Sequence, residues 1–354
     1  MGLFRANPAA EMTRLRKKLA KAADPDSPES LAMRHRIGLL LVETGDWPAA
    51  EEHYTELADA QVRAEGDRHP GTLGAWLNLA TAKAALGDVE DAVHLMASTV
   101  DIYEEAIGLD DPATMQAQLM LSEMYSLSGE YDEALDVLSR HLNACVDTFG
   151  EYHETTIAGA RRKVNVLRVL GRFDEARSLN GGLNRKPRND YERDSARAVD
   201  LLIRAETGDA KIVRHKAREF AEQYRTQEFV EVLAAVLLRA GEPAEATELY
   251  RAVLSGQSAA PQWVLAGELA RAYLESGQLD AAETLARELV SADGLPDGHP
   301  LKLGFRATLA RVARERGRDA EAERELEAVV AGLTEAFGPK HPDVVEVAGW
   351  LKKD

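Results

Sequence analysis

Apolar residues recur along most of the chain at intervals of three and four, the spacing that places them on one face of an α-helix. Eight times this pattern is interrupted by a glycine that a polar residue follows. Alanine lies five positions after the glycine in seven of the eight cases. Because glycine readily adopts the left-handed conformation that ends a helix, and alanine lets a second helix come close, the pattern predicts consecutive helical hairpins. The eight glycines are Gly45, Gly87, Gly129, Gly171, Gly208, Gly241, Gly277 and Gly317.

Small and large residues also alternate in a way that indicates close helix packing. The residue seven positions before the glycine is mostly small, as at Gly38, Ala80 and Ala234, and the residue before it is mostly large. Nine positions after the glycine, five hairpins carry a large apolar side chain such as Tyr54 or Tyr250. The pattern predicts that the two helices of each hairpin meet through these side chains.

A second landmark precedes several of the predicted hairpins. The segments EGDRHPGT, IGLDDPAT and FGEYHETT carry glycines 42 residues apart, and the related segments DGHPLK and FGPKHPDV occur later. In DDPAT, Asp111 is predicted to cap the following helix and Pro112 to be its first residue, where the missing N–H of proline costs nothing.

The combined pattern resembles the tetratricopeptide repeat, in which large and small residues precede the turn and an alanine and an aromatic residue follow it. The resemblance covers nearly the whole chain. The first four units are similar to the 42-residue variety found in kinesin light chains and in bacterial signalling proteins. The resemblance implies an all-α fold, a right-handed superhelical α-solenoid of about eight helix-turn-helix repeats with capping helices at both ends.

Three segments are expected along the chain. Residues 1–23 form a basic amphipathic N-terminal helix, residues 24–183 form four repeats of the 42-residue type, and residues 184–354 form four further repeats and a C-terminal capping helix. A basic stretch with glycine and proline, residues 180–190, marks the boundary and is a candidate hinge. The register of the next repeat stays open, because its apolar residues indicate a helix face offset from Gly208.

The N-terminal segment differs in charge from the rest of the chain. Residues 1–23 carry a net charge of +5, which leaves −22 for the remainder, and Met12, Leu15 and Leu19 share one helical face. Such a helix either binds an anionic membrane or an acidic partner, or packs its apolar stripe on the first repeat as a cap. We favour the cap over the membrane.

Composition narrows the function further. The chain has 354 residues, a net charge of −17 and one cysteine, Cys145. The acidic charge repels phosphate, which disfavours general nucleic-acid binding. The apolar stretches are far shorter than the roughly 18 residues that a membrane span needs, and a single cysteine fits a reducing compartment. We therefore expect a cytoplasmic protein.

Motifs for catalysis are absent from the sequence, which has no nucleophile elbow, phosphate-binding loop or dinucleotide fingerprint. One histidine per landmark segment cannot assemble a zinc site, because packed helices lie about 8–10 Å apart and zinc ligands about 2 Å from the metal. We predict turn and capping roles for these histidines, and a buried, apolar environment for Cys145. No catalytic residue, metal site or cofactor is expected. The histidines are His69, His153, His299 and His341.

The resemblance implies that the first helix of each hairpin lines a concave groove where proteins or peptides bind. The positions ten, nine and six before the turn glycine would face this groove. Asparagine there can hold an extended backbone, since its amide both donates and accepts hydrogen bonds, and arginine can bind carboxylates. Helical spacing also places Arg168 on one face with Arg161 and Asn165. The expected groove residues are Arg36, Asn78, Thr81, Met120, Glu123, Arg161, Arg162, Asn165 and Arg168.

We therefore expect a non-catalytic adaptor or scaffold that holds a protein or peptide with apolar anchors and an acidic stretch. Two alternatives stay open. One is a regulatory protein whose superhelix changes shape when it senses a peptide, and the other is an oligomeric structural element that stacks through its end helices.

Overall fold

A computed structural model describes residues 7–183, 185–187, 189–224, 226–255, 262–292 and 295–351. Within these ranges the chain folds into α-helices joined by short turns, with no strand. The all-α helical-repeat fold is thus confirmed. The helices are α1 Pro8–Leu19, α2 Pro28–Thr44, α3 Trp47–Glu65, α4 Pro70–Ala85, α5 Val89–Ala106, α6 Pro112–Ser128, α7 Tyr131–Phe149, α8 Glu154–Val169, α9 Phe173–Leu183, α10 Asp190–Arg204, α11 Ala210–Tyr224, α12 Gln227–Arg239, α13 Pro243–Ser255, α14 Trp263–Glu275, α15 Leu279–Ser291, α16 Pro300–Glu315, α17 Asp319–Phe337 and α18 Pro342–Leu351.

Each predicted turn glycine lies between the two helices of a hairpin and has a positive φ, from 67° at Gly171 to 104° at Gly208. Side chains other than glycine rarely adopt this conformation, so the residue type at the turn is set by the backbone. The seven alanines five positions later are each 0% exposed, which confirms that they lie where the two helices approach most closely. They are Ala50, Ala92, Ala134, Ala176, Ala246, Ala282 and Ala322.

The segments before the first helices confirm the predicted capping roles. Asp111 accepts a hydrogen bond from the Ala113 N–H at 2.8 Å, and Pro112 is the first residue of α6. The four landmark histidines each accept, through Nδ1, a hydrogen bond from the backbone N–H two residues later, at 3.0–3.3 Å. Each ring nitrogen thereby satisfies one of the N–H groups that have no partner within the helix.

The fifth hairpin resolves the open register. Helix α10 runs into a short π-helical segment, Ala205–Asp209, which contains Gly208 and leads into α11. Leu201, seven positions before the glycine, and Val213, five after it, are both 3% exposed. The hairpin therefore keeps the register of the other repeats around Gly208, and a leucine and a valine take the places of smaller residues.

The chain divides into two compact units, Met1–Ala144 (unit 1) and Cys145–Asp354 (unit 2). In each unit consecutive helices pack on one another, and first helices also contact the next first helix, as α4 contacts α6 and α14 contacts α16. The apolar core is accordingly a series of clusters between neighbouring hairpins. The boundary expected at residues 180–190 falls within unit 2, and the assignment of repeat types on either side of it stays a proposal.

Helix α1 packs on the first hairpin. Leu15 is 9% exposed and belongs to the same cluster as Ile37 of α2 and Tyr54 of α3, with Met12 and Leu19 half-buried beside it. The apolar stripe of the N-terminal segment thus faces protein in this structure. Residues 1–6 and 352–354 lie outside the described residues.

Candidate functional site

In unit 1, the expected groove residue Arg36 is already engaged by the N-terminal helix. Its Nε and Nη2 atoms donate to the two carboxylate oxygens of Glu11, at 2.9 and 3.1 Å. This pair lowers the pKa of the Glu11 carboxyl, through the hydrogen bond first and the charge of Arg36 second. Both groups are at the surface, so the pair orients α1 on α2 and contributes little stability.

The other expected residues of unit 1 lie on neighbouring helices, two on α4 and two on α6. Asn78 is half-buried, and its Nδ2 donates to the Gly74 carbonyl at 2.7 Å, which uses one of its two N–H donors. Thr81 donates to the Leu77 carbonyl at 2.9 Å. Met120 is half-buried against the cluster between α4 and α6, and Glu123 is exposed. These hydrogen bonds within α4 orient the Asn78 and Thr81 side chains.

In unit 2, the four expected residues of α8 have different environments. Arg161 and Arg162 are half-buried and Asn165 is exposed. Arg168 is also half-buried, but its Nη1 donates to Glu206 Oε1 at 2.5 Å. This charge-assisted hydrogen bond joins Arg168 of α8 to the turn between α10 and α11.

Charged side chains of alternating sign continue from Arg168 across the first helices of unit 2. Glu206, in the turn between α10 and α11, is 3.6 Å from Arg239 of α12, measured from Oε1 to Nη2. Arg239 Nη2 is in turn 3.4 Å from Glu268 Oε1 of α14. A series of ion pairs therefore links α8, the π-helical turn, α12 and α14.

The series extends to the C-terminal helix. Arg271 of α14 lies 3.0 Å from Glu275 of the same helix and 2.5 Å from Glu346 of α18. Arg311 of α16 is 3.9 Å from Glu275, and its guanidinium carbon lies 4.8 Å from the centre of the Trp350 ring. We call the side of unit 2 on which α8, α12, α14, α16 and α18 make these contacts its inner face.

Burial sets the electrostatics of this face. The Glu206 side chain is 9% exposed and that of Arg239 is 22% exposed. Desolvation raises the pKa of Glu206 even though two arginines oppose the shift. Glu268 is desolvated as well, but Arg239 and Arg271 outweigh that effect and lower its pKa. Among the described residues, Arg168 Nε, Glu206 Oε2 and Glu268 Oε2 are buried without a hydrogen-bond partner.

Helix α18 is also joined to the far end of unit 2. His341 caps α18 through Nδ1, and its Nε2 lies 2.7 Å from the Val169 carbonyl at the end of α8. Because a carbonyl accepts hydrogen bonds only, Nε2 carries the proton and Nδ1 is the acceptor. Gly171 lies so close that a Cβ there would be 2.9 Å from Pro342 Cδ. Segments 172 residues apart thus meet within one unit, a contact that a strict stack of neighbours does not contain.

The inner-face residues of the later repeats were not among the expected groove residues. Three of them nevertheless lie nine or six positions before a turn glycine, as the expected residues of the first four repeats do. Glu268 lies nine positions before Gly277, and Arg271 and Arg311 lie six positions before their turn glycines. The rule identifies these three when it is carried beyond the fourth repeat. Glu206 and Arg239 each lie two positions before the turn glycine, which is not one of the expected groove positions. Only the structure shows that they belong to the inner face.

Neither the histidines nor the cysteine forms a reactive cluster in the described ranges. No group of three or more potential metal ligands occurs there. Cys145 is fully buried, and burial raises the pKa of its thiol to about 11, so the nucleophilic thiolate is disfavoured at neutral pH. In the same part of the chain, no helix has both the length and the apolar character to cross a membrane.

Comparison with protein-family models identifies repeats in both units. Three models, each described as a tetratricopeptide repeat, match the chain, and together they cover more than half of it. The first matches residues 29–105 and 72–145, the second residues 237–303, and the third residues 305–343.

Among individual proteins, the kinesin light chain-related protein 3 of Arabidopsis thaliana is 30% identical over 95 residues. This match spans 27% of the chain and 15% of the plant protein. The solved kinesin light chain TPR-like repeats of Podosopora anserina are 17% identical, with 89% of this chain and 98% of that chain covered and a TM-score of 0.36.

The apo form of the quorum sensor NprR from B. thuringiensis is 12% identical, with 95% of this chain and 92% of that chain covered and a TM-score of 0.45. The family-model matches agree with the glycine and alanine positions of the hairpins. The chain belongs to the tetratricopeptide-repeat family.

Proposed function

We propose that the chain is a non-catalytic adaptor that binds a protein or peptide partner on the exposed faces of its first helices. Membership of a family that generally mediates protein–protein interactions supports this class of function. The net charge of −17 and the single buried cysteine support a protein ligand over nucleic acid, and a cytoplasmic location.

The observation that carries the proposal is the pairing of polar and apolar groups on α4 and α6. Asn78 and Thr81 present amide and hydroxyl groups from α4, and Met120 presents a flexible apolar side chain from α6. Helices α4 and α6 are in direct contact, so the two kinds of group lie on adjacent helices. An extended peptide needs both, hydrogen-bonding groups for its backbone and an adaptable apolar surface for its side chains.

The α8 residues make a second, separate candidate surface. Arg161, Arg162 and Asn165 combine two permanent positive charges with an amide, which suits a ligand that carries carboxylates. Arg168 is left out of this surface, because its charge is engaged by Glu206.

The test compares interaction partners of variants that keep the fold. The full-length chain, an Asn78→Ala/Met120→Glu variant and an Arg162→Ala/Asn165→Ala variant are used for affinity purification with quantitative mass spectrometry. Asn143→Ala, an exposed change on α7, is the matched control. We expect at least one partner to be depleted by a first-helix variant and retained by the control, and its purified complex to weaken at least tenfold.

Two further measurements check that the variants stay folded. Circular dichroism and thermal unfolding of each variant verify that helix content is unchanged. If every captured protein is retained equally by all three variants, the first-helix faces are not the binding surface and the proposed function is wrong.

A further inference from the structure

A small cavity lies where the N-terminal helix meets the first hairpin of unit 1. Its volume is about 210 Å³, below the roughly 300–1,000 Å³ of pockets that hold drug-sized ligands, so it suits a smaller molecule. Helix α1 forms one wall, because Leu15 packs in the same apolar cluster as Ile37 of α2 and Tyr54 of α3. The cavity is lined by Arg16, Leu19, Arg34, Ile37, His53 and Glu56.

The charged side chains of this cavity are not paired with one another. Arg34 is half-buried, and its Nε atom is buried without a hydrogen-bond partner. Neither Arg34 nor Arg16 forms an ion pair with a described residue, the exposed Glu56 included. Two guanidinium groups therefore line one cavity with their charges unpaired, and a guanidinium binds a carboxylate through strong, charge-assisted hydrogen bonds.

His53 adds no charge to the cavity at neutral pH. Its Nε2 donates to the Arg34 carbonyl at 2.7 Å. Desolvation lowers the pKa of this imidazole, and the charges of Arg34 and Arg16 act in the same direction, against the Arg34 carbonyl and Glu56. Both arginines are thus close enough to act on one ring. Because the imidazole is neutral, two arginines and one glutamate leave the lining with a net charge of +1.

The two remaining residues of the lining are apolar. Ile37 is 1% exposed and Leu19 is half-buried, and both belong to the cluster that holds α1 on the hairpin. Guanidinium groups beside leucine and isoleucine match a molecule with a carboxylate at one end and a short hydrocarbon chain at the other. One net positive charge is balanced by a monoanion, whereas a phosphate dianion exceeds it and has no apolar part to place against Leu19.

We propose that the cavity between α1, α2 and α3 binds a small organic carboxylate. Its head group pairs with Arg16 and Arg34, and its short hydrocarbon chain lies against Leu19 and Ile37. No residue of the lining belongs to the expected groove, so the site stands apart from the surfaces proposed for a protein or peptide partner. Because the walls come from α1 and from the first hairpin, a bound carboxylate joins the two.

Ligand-observed NMR with the full-length chain at pH 7.5 tests the site. Hexanoate is the probe, 1-hexanol is its neutral counterpart, and inorganic phosphate is an anion without a hydrocarbon chain. We expect hexanoate to bind at least tenfold more tightly than either. Equal binding of hexanol would mean that the arginines play no part, and equal binding of phosphate that the apolar wall plays none. Either result, or no binding of hexanoate, overturns the proposal.

Two variants without the cavity charges locate the bound hexanoate. Methionine keeps an unbranched apolar side chain but has no charge, so Arg16→Met and Arg34→Met should each weaken binding at least fivefold. Arg14→Met is the matched control, since Arg14 is exposed on the same helix and does not line the cavity. Equal affinity of the wild type and all three variants would place hexanoate elsewhere and contradict the proposal.

Hydrogen exchange of the wild-type chain keeps the proposal testable if a variant unfolds. Saturating hexanoate should slow exchange of the amides of residues 12–19 in α1 at least threefold, because the bound carboxylate joins α1 to the hairpin. The amides of α17, which lies in unit 2, serve as the internal reference. Unchanged exchange of α1 in the hexanoate-bound chain would show that the ligand does not occupy this junction, and the proposal would fail.

Discussion

Gly38 shows how a single position can decide the packing of a hairpin. A Cβ at this residue of α2 would lie 2.5 Å from Cζ of Tyr54, and the Tyr54 ring is 0% exposed and cannot move away. Seven positions before four other turn glycines the residue is alanine, as at Ala80 and Ala234. The Tyr54 ring thus fills the space that a side chain at residue 38 would need.

Replacement of Gly38 by alanine is predicted to destabilise unit 1 by about 1–3 kcal/mol, since overpacking displaces the buried Tyr54 ring. Gly304→Ala is the matched control. It lies within α16, where a Cβ meets nothing within 4 Å, so the higher helix propensity of alanine should raise stability by roughly 0.5–1 kcal/mol. Chemical unfolding followed by circular dichroism measures both. Equal effects of the two changes would mean that Tyr54 does not limit the space at Gly38.

At the level of helices, the α2–α3 hairpin holds two histidines beside the Tyr54 ring. The ring centres of His35 and His53 lie 6.3 and 6.1 Å from that of Tyr54. His53 Nε2 donates to the Arg34 carbonyl at 2.7 Å. Desolvation lowers the pKa of both imidazoles, and for His35 the neighbouring His53 adds to the shift. The folded hairpin therefore favours neutral histidines.

The stability of the hairpin should therefore decrease as the pH is lowered. A histidine whose pKa is lowered by folding binds protons more readily in the unfolded chain, so stability is lost as pH falls through the unfolded value of about 6.5. We expect the melting temperature to fall from pH 7.5 to 5.5, and to fall less in His35→Asn/His53→Gln, in which glutamine can still donate to Arg34. Identical pH profiles of the two proteins would rule out these histidines as the cause.

At the level of the whole molecule, the two units differ in how far their contacts reach. In both, the described helices pack mainly on their neighbours along the chain. In unit 2, however, His341 joins the start of α18 to the end of α8. A repeat array with contacts between neighbours alone can lose its ends one hairpin at a time, whereas a contact between its ends couples them.

The His341→Ala variant tests this coupling against His153→Ala. Both histidines cap a helix through Nδ1 and stack on a preceding phenylalanine, and His341 in addition bonds to the Val169 carbonyl through Nε2. Loss of that hydrogen bond should cost about 1 kcal/mol more than loss of the cap alone. Hydrogen exchange at residues 166–172 should accelerate in His341→Ala and stay unchanged in His153→Ala. Acceleration in neither variant would show that the contact does not couple the two ends.

Much of the fold follows from local rules that act over a few residues. A glycine that must adopt a positive φ, an alanine at the closest helix approach, and a capping aspartate or histidine before several of the first helices are visible in the sequence because each is the residue type that its backbone position favours. Hairpins, caps and the family were predictable for this reason. Asn78 and Thr81 were likewise placed correctly on α4, although their role in binding stays a prediction.

Which residues meet on the inner face of unit 2 depends on the tertiary structure. Whether Arg168 is open to a ligand depends on Glu206, which lies 38 positions away, and the place of α18 depends on Arg271, 75 positions from Glu346. No local rule relates such residues, because their distance is the accumulated result of many small rotations between hairpins. The sequence alone therefore determined which helices form and how each meets the next, and only the folded chain determined which charges meet across unit 2.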